Sequence, residues 1–80
     1  MKLQNEFELD ARGLNCPMPV IRVRKMLQRM YPGQILQVRT TDPGSFKDMK
    51  SYCNQTGDEL LESREVEKEF HYIIRKKPQR

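Results

Sequence analysis

Cys16 is the residue best suited to chemistry in this sequence, because helix-start signals follow it directly at Pro17 and Pro19. Proline is tolerated in the first turn of a helix, since the amide that it lacks has no intrahelical partner there. Proline also disfavours the α conformation for the residue that precedes it. We therefore predict a helix that begins at Pro17 with Cys16 as its N-cap, and Pro19 in the same first turn.

The start of a helix carries partial positive charge, which stabilises a thiolate relative to a thiol. A cysteine in such a place can have its pKa lowered from about 8.5 into a range of roughly 3.5–7.5. This interpretation makes Cys16 a nucleophile. The alternative is a small apolar residue that happens to stand at a helix start.

The motif Cys16-Pro17-Met18-Pro19 follows Leu9-Asp10-Ala11 and Gly13-Leu14. With these flanks it resembles the TusA/SirA family of small sulfur-carrier proteins, whose hallmark is a Cys-Pro-x-Pro motif, and the TusA branch in particular. The resemblance continues along the chain in Val23-Arg24-Lys25, Pro32-Gly33, Thr41-Asp42-Pro43, Asp48, Tyr52-Cys53, Glu59-Leu60, Tyr72 and Ile74-Arg75-Lys76.

What the resemblance implies is a carrier that accepts sulfane sulfur from a cysteine desulfurase as a persulfide on Cys16. The carrier would then pass the sulfur to an acceptor protein in a sulfur relay, for example the relay leading to 2-thiouridine in tRNA. Cofactor assembly and sulfur oxidation are other destinations within the family. The implied fold is a two-layer α/β sandwich.

The composition is that of one small globular domain. The 80 residues include 32% charged and 36% apolar residues, which does not suit a disordered chain. No apolar run approaches the roughly 20 residues that span a bilayer, and no secretory signal opens the chain. The two cysteines are not at metal-site or Cys-x-x-Cys spacing, so we predict no metal, no cofactor and a reducing cytoplasm.

Hydrophobic periodicity predicts the element order βαβαββ. The strands are expected at 6–10, 35–40, 59–66 and 69–76, with a first helix at 17–30. The residues expected to face inward are Leu36 and Val38 of the second strand and Val20, Val23, Leu27 and Met30 of the first helix. A second helix is expected to begin with Asp42 as N-cap and Pro43 at its first position, and to end at Gly57. Its apolar side carries Phe46, Met49, Tyr52, Cys53 and Thr56. The predicted fold is therefore an α+β two-layer sandwich: a four-stranded mixed sheet with both helices on one face.

Two carboxylates are expected near the cysteine, because helices that follow parallel strands start at the same edge of a sheet. Asp10 ends the first strand, where a loop-fixing acceptor of backbone amides is the more ordinary role. Asp42 is more ordinary as a helix cap. Either could instead move protons during sulfur transfer.

The outer face of the first helix combines apolar and basic residues. Met18 and Ile21 share it with Arg22, Lys25 and Arg29, and Arg24 borders it. This pattern is typical of a docking patch for a protein partner, although scattered surface apolar residues are also common. In the resembled family the corresponding face is presented to a cysteine desulfurase, which adds weight to Arg24.

The remaining candidates have structural interpretations. Cys53 is predicted to be core. Nothing is expected to cluster with His71, which is assigned to neither metal nor catalysis. Arg12 and Asn15 are expected to be exposed, although they could contact a bound persulfide or a partner. Residues 76–80 are expected to be a frayed basic tail.

Three functions remain open from the residues themselves. A persulfide carrier, expected to be a monomer, comes first. An enzyme acting on a small sulfur compound such as thiosulfate is the second. A basic binding module is the third, since the net charge is +4, although direct nucleic-acid binding is disfavoured because no aromatic residues interleave with the basic ones.

Overall fold

A computed structural model describes residues 6–15 and 17–77 of the chain. Its elements are β1 (Glu6–Ala11), α1 (Met18–Gln28), β2 (Ile35–Thr40), α2 (Ser45–Thr56), β3 (Glu59–Val66) and β4 (Glu69–Arg75). The predicted order βαβαββ is confirmed. Cys16, the predicted sulfur-carrying residue, lies outside the described residues.

The four strands form one mixed sheet in the order β1-β2-β4-β3. β1 pairs with β2 in parallel, whereas β4 pairs with β2 and with β3 in antiparallel. β2 and β3 therefore run in the same direction with β4 inserted between them. The result is the predicted α+β sandwich with a four-stranded mixed sheet.

The core lies between the helices and one face of the sheet. Leu36 and Val38 of β2 are buried as the alternation predicts, and Tyr72 and Ile74 of β4 lie beside them. From the helices, the core takes Val23, Leu27, Met49 and Cys53, and Met30 follows from the end of α1. Phe46 was wrongly predicted to share this face: it is 44% exposed, and the buried residue of that first turn is Ser45.

Both helices begin later than predicted, for the same reason. The Met18 N–H donates to the Asn15 carbonyl at 2.8 Å, and the Ser45 N–H donates to the Asp42 carbonyl at 3.0 Å. Each of these bonds closes a turn before the first helical i→i−4 bond. Pro17 is therefore the N-cap of α1 in place of Cys16, and Gly44 is the N-cap of α2 in place of Asp42.

The predicted frayed tail is wrong for its first two residues. The Lys76 backbone exchanges hydrogen bonds with Gly33 and Gln34, and its Nζ donates to the Leu27 carbonyl at 2.7 Å. The Lys77 N–H donates to Asp58 Oδ1 at 2.9 Å. These contacts fasten the end of β4 to the end of α1, to the loop before β2 and to Asp58 before β3. Residues 78–80 lie outside the described residues.

Candidate functional site

The segments that flank Cys16 lie at the edge of the sheet where β1 and β2 end. Ala11 and Thr40, the last residues of these strands, are direct neighbours in the parallel register. Just beyond them, the Gly13 N–H donates to the Thr41 hydroxyl oxygen at 2.9 Å. The loop that leads to Cys16 is thereby joined to the loop that leads into α2, as the rule for parallel strands predicts.

The start of α1 is shaped by its two prolines. Pro17, the N-cap, is exposed and accepts a hydrogen bond from the Ile21 N–H at 3.2 Å. Pro19 is the second residue of the helix and is buried. The described part of this turn therefore presents Met18, which is 39% exposed, while Pro19 packs inward.

Asp10 holds the loop in the way expected of a loop-fixing carboxylate. Its Oδ1 accepts the Arg12 backbone N–H at 3.1 Å and Arg12 Nε at 2.9 Å, and its Oδ2 accepts Arg12 Nη2 at 2.8 Å. The hydrogen bonds from the Arg12 guanidinium and amide hold the pKa of Asp10 well below its usual range. Asp10 is thus an ionised acceptor of three hydrogen bonds from Arg12 at neutral pH.

Glu69 and His71 of β4 extend this network, which sequence reasoning missed. Arg12 Nη1 donates to Glu69 Oε2 at 3.2 Å, and His71 Nε2 lies 3.1 Å from Glu69 Oε1. Hydrogen bonds from His71 and Arg12 lower the pKa of Glu69. The two-residue spacing of Glu69 and His71 signals a shared sheet face, but their closeness to Arg12 depends on strand order. His71 was wrongly predicted to stand alone.

A buried row of hydroxyl groups supports the start of α2 and was also missed. Ser45 Oγ lies 2.7 Å from Thr40 Oγ1 and 2.7 Å from the Tyr72 hydroxyl. All three residues are at most 1% exposed. Burial is the largest cause that raises the pKa of Tyr72, so this hydroxyl is a neutral hydrogen-bonding group. The row fixes the loop that contains Asp42, which is half-buried.

The outer face of α1 is exposed as predicted, but the structure divides its basic residues between two clefts. Met18 and Ile21 are each 39% exposed. Lys25 borders one cleft of about 170 Å³ together with Leu9, Arg22, Met26 and Arg29. Arg24 faces a different cleft, of about 500 Å³, lined by Gln28, Tyr52, Gln55, Thr56, Asp58, Lys76 and Lys77. Arg24 and Lys25 therefore border different clefts, one between α1 and α2 and the other between α1 and β1.

Cys53 is a free thiol in the core, as predicted. Only 5% of the residue is exposed. Burial, with a smaller contribution from the Asp58 charge, raises the pKa of this thiol to about 11. Because the thiolate is the reactive form of cysteine, Cys53 is chemically inert at neutral pH.

The described residues contain neither a metal-binding cluster nor a helix that could cross a membrane. Within residues 6–15 and 17–77, no three His, Cys, Asp or Glu side chains are grouped so that they could hold a metal ion. Over the same residues, neither α1 nor α2 has the length and apolar character that a membrane-crossing helix requires.

The fold defines a small two-layer α/β domain with a four-stranded mixed sheet. The family described as sulfurtransferase TusA matches residues 7–76, and the chain belongs to this family. A sulfur carrier protein TusA of Allochromatium vinosum is 54% identical over 69 residues, which cover 86% of this chain and 91% of the relative. A sulfur carrier protein TusA of Pseudomonas putida strain F1 is 44% identical over 69 residues, which cover 86% of each chain.

A solved structure supports the same assignment. The crystal structure of a SirA-like protein from Desulfitobacterium hafniense superposes with a TM-score of 0.78 at 25% sequence identity. The match covers 89% of this chain and 97% of the other chain. The resemblance predicted from Cys16-Pro17-Met18-Pro19 and its flanks is therefore confirmed at the level of the family and of the fold.

Proposed function

We propose that this chain is a sulfur carrier that holds sulfane sulfur as a persulfide on Cys16. In this proposal a cysteine desulfurase is the donor, and an acceptor protein of a cytoplasmic sulfur relay receives the sulfur, for example on the route to 2-thiouridine in tRNA. The names of the TusA relatives support the carrier role. The Cys-Pro-x-Pro motif of the sequence supports Cys16 as the carrying residue.

The observation that carries the residue assignment is the burial of the other thiol. The chain has two cysteines. Cys53 is 5% exposed and its pKa is raised to about 11, so it is neither accessible nor ionised. A persulfide carrier needs an accessible, ionisable thiol, because thiol–disulfide exchange depends on the thiolate fraction and on access. Cys16 is the cysteine left for that role.

The proposed transfer is a displacement at sulfur with no net oxidation. The Cys16 thiolate attacks the terminal sulfur of the donor enzyme's persulfide, and a new S–S bond forms. The S–S bond within the donor breaks, and the donor cysteine leaves as a thiolate with the electron pair. Delivery to the acceptor repeats this step with an acceptor thiolate as nucleophile. The carrier therefore requires neither an oxidant nor a resident metal.

Partner contact is assigned to the exposed side of α1 that begins beside Cys16. Met18 and Ile21 supply apolar area, and basic residues surround them, while α1 itself contains no Asp or Glu. An acidic rim on the partner would complement this surface, since charge complementarity steers protein association. Arg24 and Lys25, in their separate clefts, would contact different parts of the partner.

The experiment that tests the function is intact-protein mass measurement after incubation with a cysteine desulfurase, free cysteine and pyridoxal phosphate. We expect the wild type to gain the mass of one sulfur atom, and reductant to remove it. Cys16→Ser should gain nothing, and Cys53→Ala should behave as the wild type does. No mass gain together with consumption of thiosulfate would overturn the carrier proposal in favour of an enzyme that acts on small sulfur compounds.

A further inference from the structure

Arg12 bridges two strands that are not neighbours in the sheet. Its Nε and Nη2 atoms bind the two oxygens of Asp10 on β1, and its Nη1 binds Glu69 at the first position of β4, 57 residues along the chain. β2 lies between these strands. Adjacent strands are about 4.8 Å apart, so the bridge spans roughly two strand spacings. The planar, five-donor guanidinium suits this double contact, since it can hold one carboxylate bidentately and still reach another.

The far end of the bridge is itself held in place. Glu69 uses Oε2 for Arg12, while its Oε1 lies 3.1 Å from His71 Nε2. Each carboxylate oxygen of Glu69 therefore has a separate partner, and these two contacts fix the orientation of the carboxylate toward Arg12. The near end is fixed as well, because Asp10 also accepts the Arg12 backbone N–H.

These contacts are concentrated on the segment that leads to Cys16. Arg12 binds Asp10 and Glu69, and the next residue, Gly13, binds Thr41 through its N–H at 2.9 Å. Two consecutive loop residues are therefore fastened to β1, to β4 and to the loop after β2. These anchors restrict the conformations that the loop can adopt before any partner arrives.

We propose that Arg12 is a positioning residue for sulfur transfer, and that the Asp10–Arg12–Glu69 bridge holds the loop 12–15 in one arrangement. This inference rests on the proposed carrier function, since it concerns the loop that precedes Cys16. A loop that is ordered in advance does not have to be ordered during docking, so the encounter complex forms at lower entropic cost. Placing reacting groups in advance also raises the fraction of encounters that lead to reaction.

If the bridge served only stability, removing it would lower the unfolding midpoint in urea and leave the kinetics of transfer unchanged. The side chains of Arg12, Asp10 and Glu69 are 42%, 57% and 30% exposed. Ion pairs at such exposure contribute little to the free energy of unfolding. Removing the bridge should therefore leave the unfolding midpoint in urea almost unchanged, while the kinetics of transfer respond.

The chain offers a matched control at the opposite end of the sheet. Arg75 of β4 and Glu59 of β3 form a cross-strand ion pair, with Arg75 Nε donating to Glu59 Oε1 at 2.6 Å. Their side chains are 46% and 47% exposed. Arg75→Ala removes the same charge as Arg12→Ala from a comparable pair that does not touch the loop.

The test measures single-turnover sulfur transfer from a persulfide-loaded cysteine desulfurase at increasing carrier concentration, for Arg12→Ala, Glu69→Gln, the double variant and Arg12→Lys. We expect each single change to lower transfer efficiency about two- to fivefold, the range that the free energy of an exposed ion pair allows. The double variant should be little worse than Arg12→Ala, because both changes break one bridge. Arg12→Lys should recover only part of the loss, since a lysine ammonium cannot bind a carboxylate through two parallel hydrogen bonds as a guanidinium does.

Two parallel measurements separate positioning from other causes. The rate of Cys16 alkylation by iodoacetamide should be the same in all variants, which would show that the thiol itself is unaltered. Amide order parameters of residues 12–15 should fall in Arg12→Ala and not in Arg75→Ala.

Transfer at the wild-type rate in Arg12→Ala and Glu69→Gln would overturn the positioning role while leaving the carrier function intact. An equal loss in Arg75→Ala would also overturn it, in favour of a general charge effect. Wild-type protein that accepts no sulfur at all would instead show that the carrier function is wrong, and the positioning role with it.

Discussion

Ser45 and Tyr72 are joined by a 2.7 Å hydrogen bond between their side-chain oxygens in the core, although 27 residues separate them in the chain. Ser45 also lies 2.7 Å from Thr40 Oγ1, so it is the middle member of a row of three buried hydroxyl groups. This row joins the end of β2, the start of α2 and the middle of β4. It fixes the loop that leads into α2, which lies beside the loop that leads to Cys16.

The hydroxyl row predicts an order of stabilities. Ser45→Ala leaves two buried hydroxyls without their shared partner, whereas Tyr72→Phe removes one end of the row and leaves the Thr40–Ser45 bond. Each buried polar group left unsatisfied costs about 1–3 kcal/mol. We therefore expect Ser45→Ala to lower the free energy of unfolding more than Tyr72→Phe, as measured by urea denaturation.

Ser51→Ala, on the exposed side of α2, is the control for that series and should change the free energy of unfolding by about 0.5 kcal/mol or less. A Tyr72→Phe protein that is less stable than Ser45→Ala would contradict the shared role of the Ser45 hydroxyl.

The contact between Asp10 and Arg12 predicts an altered titration. The pKa of Asp10 lies below its ordinary value of 3.8, chiefly because of the hydrogen bonds from Arg12. In Arg12→Ala the Asp10 midpoint, followed by the NMR shift of its side-chain carbon, should rise towards 3.8. Glu69→Gln should move it much less, because Glu69 does not contact Asp10 directly in this network.

The sign of the resulting pH dependence follows from the lowered pKa values of Asp10 and Glu69. Their stabilising contribution is fully present above the unfolded-state values and is lost only as pH falls through the folded-state values. The bridge should therefore be intact throughout the neutral range. An Asp10 midpoint that stays the same in Arg12→Ala would show that the contact is absent in solution.

Burial of Cys53 predicts that only one cysteine of the folded protein is reactive. A thiol with a pKa of about 11 is almost entirely protonated at pH 8, and the core also blocks access to it. A short pulse of iodoacetamide at pH 8 should therefore label wild-type protein once, at Cys16. Cys16→Ser should remain unlabelled when folded and take up one label in denaturant; rapid labelling of folded Cys16→Ser would exclude an inert Cys53.

The proposed partner surface on α1 predicts that substitutions at Arg24 and at Lys25, which border different clefts, weaken sulfur acceptance independently. Ile21→Ser, Arg24→Glu and Lys25→Glu should each raise the carrier concentration needed for half-maximal sulfur acceptance, by about tenfold for a residue at the centre of the interface. The charge reversals should also weaken the salt dependence of the rate. Lys50→Glu on α2 is the matched control. If only Arg24→Glu or only Lys25→Glu has an effect, the partner occupies one of the two clefts.

The confirmed expectations depend on local patterns. The alternation of Leu36 and Val38 predicts which face of β2 is buried, and the helical spacing of Val23 and Leu27 predicts the inward side of α1. The wrong expectations concern the helix starts, the tail, the burial of Phe46 and the isolation of His71. Whether Pro17 or Cys16 caps α1 depends on a turn bond from Met18 to Asn15, and such bonds compete closely with helical ones at a terminus.

The sequence by itself determined the family, the order of the elements and the choice of Cys16 as the candidate thiol, because motifs and hydrophobic periods are local properties. Only the tertiary structure decided that Arg12 meets Glu69, that Ser45 meets Tyr72, and that Arg24 and Lys25 face different clefts. The first two relationships join elements that are distant in the chain, and the third depends on which elements pack against each side of α1. They depend on the insertion of β4 between β2 and β3 and on the crossing of the helices over the sheet. No local interaction encodes those arrangements, since they result from the packing of all elements around one core.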